Sequence, residues 1–259
     1  MDAQQLITEG KLGEALSALQ DQVRKDASNA KYRTFLFQLL AVMGQWNRAL
    51  TQLNVAAELD AAALPMAQTY REAIQCEALR GEIFEGKRNP LIFGEPEPWM
   101  ALMLEALRQD AAGESARAAD TRAKAFEDAP ASQGSINGEA FEWIADADSR
   151  LGPVLEAIVN GRYFWIPFHR IRKIEFDAPQ DLRDAVWTPA RFTWANEATA
   201  VGLIPTRYSG TVATGENGLL LSRQTEWDDN GAGVGQRMLV TDVNDYALMD
   251  VRAIEIGDG

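Results

Sequence analysis

A single histidine and a single cysteine stand in the 259 residues. With one imidazole, multi-histidine metal centres are excluded. His169, between Phe168 and Arg170, reads as a strand residue with an ordinary hydrogen bond rather than a general base. Cys76 sits among apolar neighbours in a helical stretch, without the activating base or lowered pKa that a thiol nucleophile requires. Asp146 and Asp148 would face one side of an extended segment and could attract a divalent cation. No third carboxylate or calcium-loop spacing supports that, so a solvated face or a bridge to Arg150 is the expected role. Asp228-Asp229-Asn230-Gly231 is a turn signature. Gly231, Gly233 and Gly235 follow a turn and precede a strand, the reverse of a dinucleotide-binding loop. Together these residues predict a binding protein with no catalytic residue, cofactor or metal.

The elements that would carry such a protein change character near residue 135. Residues 1–60 lack proline and read as helix throughout. Gly10-Lys11-Leu12-Gly13-Glu14-Ala15-Leu16 recurs as Gly44-Gln45-Trp46-Asn47-Arg48-Ala49-Leu50, a shift of 34 residues. That is the period of the tetratricopeptide repeat, a helix–turn–helix unit. A fainter copy begins at Trp99, turns at Gly113 and ends at Pro130. Between the copies, Met66 to Phe84 predicts an additional helix. After the breaker-rich Ala129 to Ser135, four Asn-Gly pairs mark hairpin turns, at Asn137, Asn160, Asn217 and Asn230.

Expected strands are 140–145, 154–159, 162–168, 171–176, 200–204, 219–222, 237–240 and 251–256, with helical turns at 181–186 and 243–249. The fold class is therefore α+β: a TPR-like helical-repeat domain over 1–130, then a β-rich domain over 137–259, an antiparallel sheet or small barrel. So short a repeat array is expected to lean on the second domain.

Net charge is −13, and both halves are acidic, which argues against nucleic acid or an anionic membrane as partner. Arg170, Arg172 and Lys173 alternate with Ile171 and Ile174 as the solvated face of a strand. Met1 to Gln5 lacks the basic and apolar regions of a signal peptide, and no apolar run is long enough to span a bilayer. With the lone cysteine, this predicts a soluble cytoplasmic protein.

Five ordered motifs are distinctive: Asp148 to Glu156, Gly161 to Phe168, Ala178 to Pro189, Ile204 to Gly210 and Ser222 to Trp227. With the helical half before them, the chain resembles the ImpE/TagJ family of type VI secretion accessory proteins. The resemblance implies a non-catalytic adaptor that binds the N-terminal helix of the small contractile-sheath subunit and assists sheath assembly or turnover. It also implies a link to the sheath-disassembly ATPase. Helix-in-groove recognition draws its energy from a few anchors, enriched in Trp, Tyr and Arg. The motifs supply Trp165, Arg183, Trp187, Arg207, Tyr208 and Trp227 as candidate binding residues. Core packing for Trp165 and Trp187, and a bridge from Arg183 to Asp181 or Asp184, are the competing roles. A general repeat scaffold unrelated to the sheath is the rival function.

Overall fold

Glycines that can hold a positive φ end four of the seven helices of the first half. In the computed structural model, which describes residues 2–257, the helices are α1 (Ala3–Thr8), α2 (Leu12–Lys25), α3 (Ala30–Val42), α4 (Trp46–Leu59), α5 (Leu64–Phe84), α6 (Pro98–Ala111) and α7 (Ser115–Asp128). Gly10, Gly44, Gly86 and Gly113 adopt φ between +66° and +78° just past α1, α3, α5 and α6. Each closes its helix with the same pair of backbone bonds, as Gly10 N–H to Ile7 and Lys11 N–H to Leu6 do after α1. This is the Schellman arrangement, which satisfies otherwise orphaned carbonyls. The 34-residue echo is thus visible in the hydrogen bonding: 6, 7 and 10 correspond to 40, 41 and 44.

The strands are β1 (Leu91–Ile92), β2 (Gly134–Ile136), β3 (Glu139–Phe141), β4 (Ile144–Asp146), β5 (Val154–Val159), β6 (Arg162–Pro167), β7 (Ile171–Phe176), β8 (Trp187–Trp194), β9 (Thr199–Pro205), β10 (Thr225–Trp227), β11 (Gly233–Gly235), β12 (Met238–Thr241), β13 (Asp245–Ala247) and β14 (Ala253–Ile256). Two short helices, α8 (Thr211–Thr214) and α9 (Asn217–Leu220), lie between β9 and β10. Nine strands form one sheet in the order β1-β6-β5-β9-β8-β7-β14-β2-β3. Its pairs are antiparallel except β1 with β6, where the helical half lends a strand to the sheet edge. A three-stranded sheet, β13-β12-β4, and the β10–β11 ribbon complete the half. The α+β expectation holds, with an open mixed sheet rather than a closed barrel.

Both faces of the large sheet are covered, as the uninterrupted burial of β5 records. One core cluster joins α1–α6 to Val154, Ile158, Trp165 and Trp187, so it runs across both halves. The other, with Leu155, Ile166, Phe192 and Ile254, fills the far face. Leu36 to Val42 of α3 is buried without a break, between α2, α4 and a 3-10 turn at Leu182–Ala185.

Several local expectations are corrected. Residues 219–222 are not a strand: Asn217-Gly218 opens α9 instead of a hairpin. Residues 243–249 are not a helical turn but β13 leading into a 3-10 turn at Leu248–Asp250. The 140–145 strand is divided at Glu142-Trp143, whose backbone N–H groups donate to Asp242. Asn137-Gly138 and Asn160-Gly161 do take positive φ at both residues, the type I′ pattern. His169 lies in a 3-10 turn, with Nε2 2.9 Å from Glu97. Arg170 is not on a solvated strand face: it occupies the same turn and donates to the Phe93 carbonyl and Glu97.

Candidate functional site

At the joint between the halves, four arginines and four carboxylates meet, all of them buried except the partly buried Glu77 and Arg150. α5 presents Glu77 and Arg80 one turn apart; Glu156 comes from β5, Asp146 from β4, and Arg237 precedes β12. Arg80 grips Glu156 through two bonds, 2.6 and 2.8 Å, and Arg237 and the Tyr163 hydroxyl donate to the same carboxylate. Arg237 also pairs with Asp146, to which the Tyr208 hydroxyl lies at 2.9 Å. Asp148 accepts from Arg150 Nε at 2.9 Å and from the Gly233 amide at 3.0 Å. This answers the Asp146/Asp148 motif: the Arg150 bridge is present, but both carboxylates are buried and are not a solvated face.

The protonation of these carboxylates follows the number of cations each meets. Burial would raise Glu156, but Arg80 and Arg237 outweigh it and hold it near about 2. Asp146 meets one guanidinium, and burial pushes it up to about 6. Arg207 makes no salt bridge among the described residues, and burial lowers it to about 10 against the opposing pull of the nearby Glu77. Its acceptors are main-chain carbonyls: Ala41 and Val42 at the end of α3, and Leu220 at the end of α9. Those helix termini supply the compensating negative potential.

The six residues expected to form a binding surface divide unevenly. Trp165, Trp187, Arg207 and Tyr208 are interior, none more than 3% exposed, and a buried group offers a partner no contact without the fold opening. Trp165 donates to the Tyr163 hydroxyl at 2.9 Å. Trp187 donates to Glu77 at 3.0 Å and packs on Trp46 and Tyr70. Arg183 bonds Asp181 and lies over the Tyr70 ring, 4.7 Å from its centroid. Trp227 alone is well exposed, at 44%, although it also leans on Tyr208. The motif residues thus assemble the joint, and only Arg183 and Trp227 reach its margins.

Beside the joint, the surface opens into a groove of about 670 Å³ between α1, α3 and the segment 179–185. Ile7, Phe35, Leu182 and Leu221 give it apolar walls, and Lys31 and Arg223 stand at the margin. On α5, one turn before Arg80, burial drives the Cys76 thiol up to about 11, and its sulfur faces the Gly161 carbonyl at 3.6 Å.

The accessory component TagJ of the type VI secretion system of Pseudomonas aeruginosa is 54% identical over 255 residues, covering 98% of this chain and 91% of that one. The chain belongs to the ImpE/TagJ family. The model of the ImpE protein family matches residues 138–255, the β half with all the motif residues above. The crystal structure of protein VPA1032 from Vibrio parahaemolyticus superposes with a TM-score of 0.88 over 99% of this chain and 98% of that one, at 21% identity. An ImpE/TagJ fold therefore persists where most side chains differ. No described helix is long and apolar enough to cross a membrane.

Sequence reasoning missed the groove, which is assembled from segments more than 200 positions apart. It also missed Arg80, Glu156 and Arg237, whose partnership spans the two halves. The signal that could have flagged them was a charged residue inside an otherwise apolar strand, as with Glu156 in Val154-Leu155-Glu156-Ala157-Ile158-Val159.

Proposed function

We propose that this chain is a non-catalytic accessory protein of a bacterial type VI secretion system. In this reading it holds the N-terminal helix of the small contractile-sheath subunit and assists sheath assembly or turnover in the cytoplasm. The observation carrying it is the 54% identity to TagJ across nearly the whole chain. The groove between α1, α3 and segment 179–185 is the proposed seat. Its apolar walls suit the i, i+3, i+4, i+7 face of an amphipathic helix, and its volume falls in the range of built ligand clefts. The disassembly ATPase is a further proposed partner, reached through the sheath.

The rival reading is a general scaffold using its repeat face. It has less room, because the face of α3 left free by α2 and α4 is covered by the protein's own 3-10 turn.

Calorimetry with a synthetic peptide of the sheath subunit's N-terminal helix tests the proposal. Micromolar or tighter binding, about −8 kcal/mol, is expected, together with its loss in Phe35→Asp. Folded protein that gives no heat with the cognate peptide refutes the reading. Binding that Phe35→Asp leaves intact moves the seat elsewhere.

A further inference from the structure

The two motif arginines at 207 and 223 perform the same act on two successive repeats. Arg223 donates from one terminal nitrogen to the Ile7 carbonyl and from the other to the Thr8 carbonyl, each at 3.0 Å. Arg207 donates to the Ala41 carbonyl at 3.1 Å and to the Val42 carbonyl at 2.6 Å. Ile7 and Ala41 are 34 residues apart, as are Thr8 and Val42, so the acceptors are repeat-equivalent. In both cases Nη2 takes the first carbonyl and Nη1 the second. The Schellman turns beyond, at Gly10 and Gly44, match as well. Among the described residues, the corresponding helix ends before Gly86 and Gly113 receive no guanidinium.

A planar fork across two adjacent carbonyls fixes direction as well as distance, which a single ammonium does not. It also sets a cation at the negative end of a helix. Both forks belong to one stretch of the β half, the segment carrying α8 and α9, and Arg207 additionally ties down α9 through Leu220. The ends of α1 and α3 are therefore pinned to a common template. Ile7, Thr8 and Arg223 on one side of the groove, and Phe35 and Gln38 on the other, are all among its lining residues.

We propose that Arg207 and Arg223 are positioning residues: together they set the angle between the first two helix pairs, and so the width of the groove. The consequence for partner binding rests on the function proposed above; the clamp itself does not.

Arg223, near the surface, is the variant to make first. In Arg223→Ala, the amides of Leu6, Glu9, Gly10 and Lys11 should exchange hydrogen about tenfold faster, while those of α3 keep wild-type protection. Arg223→Lys, with charge but no fork, should regain part of the α1 protection. Affinity for the sheath-subunit peptide should fall about tenfold in Arg223→Ala and stay reduced in Arg223→Lys. Wild-type exchange at α1 in Arg223→Ala overturns the proposal, and so does a uniform rise across the chain, which would mark a merely structural loss. Full affinity in Arg223→Lys overturns the need for a fork. If wild-type protein binds no peptide, the proposed function fails while the exchange measurement still decides the clamp. For Arg207, the milder Arg207→Lys keeps the test readable, with the exchange rise then expected at the end of α3.

Discussion

Replacing Glu156 by glutamine removes one charge and almost no volume, yet it should cost the fold several kcal/mol. The carboxylate accepts two bonds from Arg80, one from Arg237 and one from the Tyr163 hydroxyl, and is 0% exposed. In Glu156→Gln the amide NH₂ must face a guanidinium, and Arg80 is left with Glu77, 3.6 Å away, as its one carboxylate, beside the Arg207 carbonyl at 2.9 Å. Breaking a buried pair from one side costs about 3–5 kcal/mol. The protonation of Glu156 gives a second figure. The drop from 4.5 to about 2 on folding is worth roughly 3 kcal/mol. Because the folded value is the lower one, this contribution is complete above about pH 4.5 and is lost as pH falls towards 2. Urea unfolding of wild type and Glu156→Gln across pH 7 to 3 checks both figures. The curves should lie about 3 kcal/mol apart at pH 7 and draw together as acid protonates Glu156. Curves separated by less than about 1 kcal/mol at neutral pH, or remaining parallel into acid, would refute the reasoning.

Other outcomes follow from single features of the structure. Trp187→Phe keeps a ring against Trp46 and Tyr70 but leaves the partly buried Glu77 without its 3.0 Å donor, so urea unfolding should show a loss of about 1–3 kcal/mol. Native Cys76, its thiol pushed up to about 11 by burial, should react with a disulfide reagent at pH 8 far more slowly than in urea; equal rates would contradict its placement. Asn160 holds φ +50° in the β5–β6 turn. Asn160→Ala should therefore lower stability by about 1 kcal/mol in thermal or urea unfolding, and Asn160→Gly should cost much less.

What could be read from the sequence was whatever is encoded locally. The β5–β6 hairpin follows from Asn160-Gly161 flanked by apolar runs, and the helix ends follow from Gly10, Gly44 and Gly113. β8 escaped notice although it is one of the longest strands, because Pro189 lies inside it and demotes the run on local criteria. Its register with β9 places Pro189 opposite Leu203, which no local pattern reveals. Residues 219–222 look like a strand by composition. They fold as the end of α9, where the Leu220 carbonyl meets Arg207. The motif tryptophans and arginines stood out correctly as special, but type alone does not distinguish an anchor facing a partner from one facing another part of the same chain. Trp187 and Arg207 are of the second kind, and their partners lie 110 and 165 positions away.

Those separations also set a clock for synthesis. The helical half emerges from the ribosome first, with the last carbonyls of α3 directed at a guanidinium that does not yet exist. Arg207 is made 165 residues after Val42, a delay of roughly 10–30 s at translation rates of about 5–20 residues per second. For most of that interval the apolar side of α3 lacks its cover, the turn at Leu182–Ala185, and for 76 residues of it Arg80 lacks Glu156. The contacts across the joint are therefore completed only once residues 207–237 have been made.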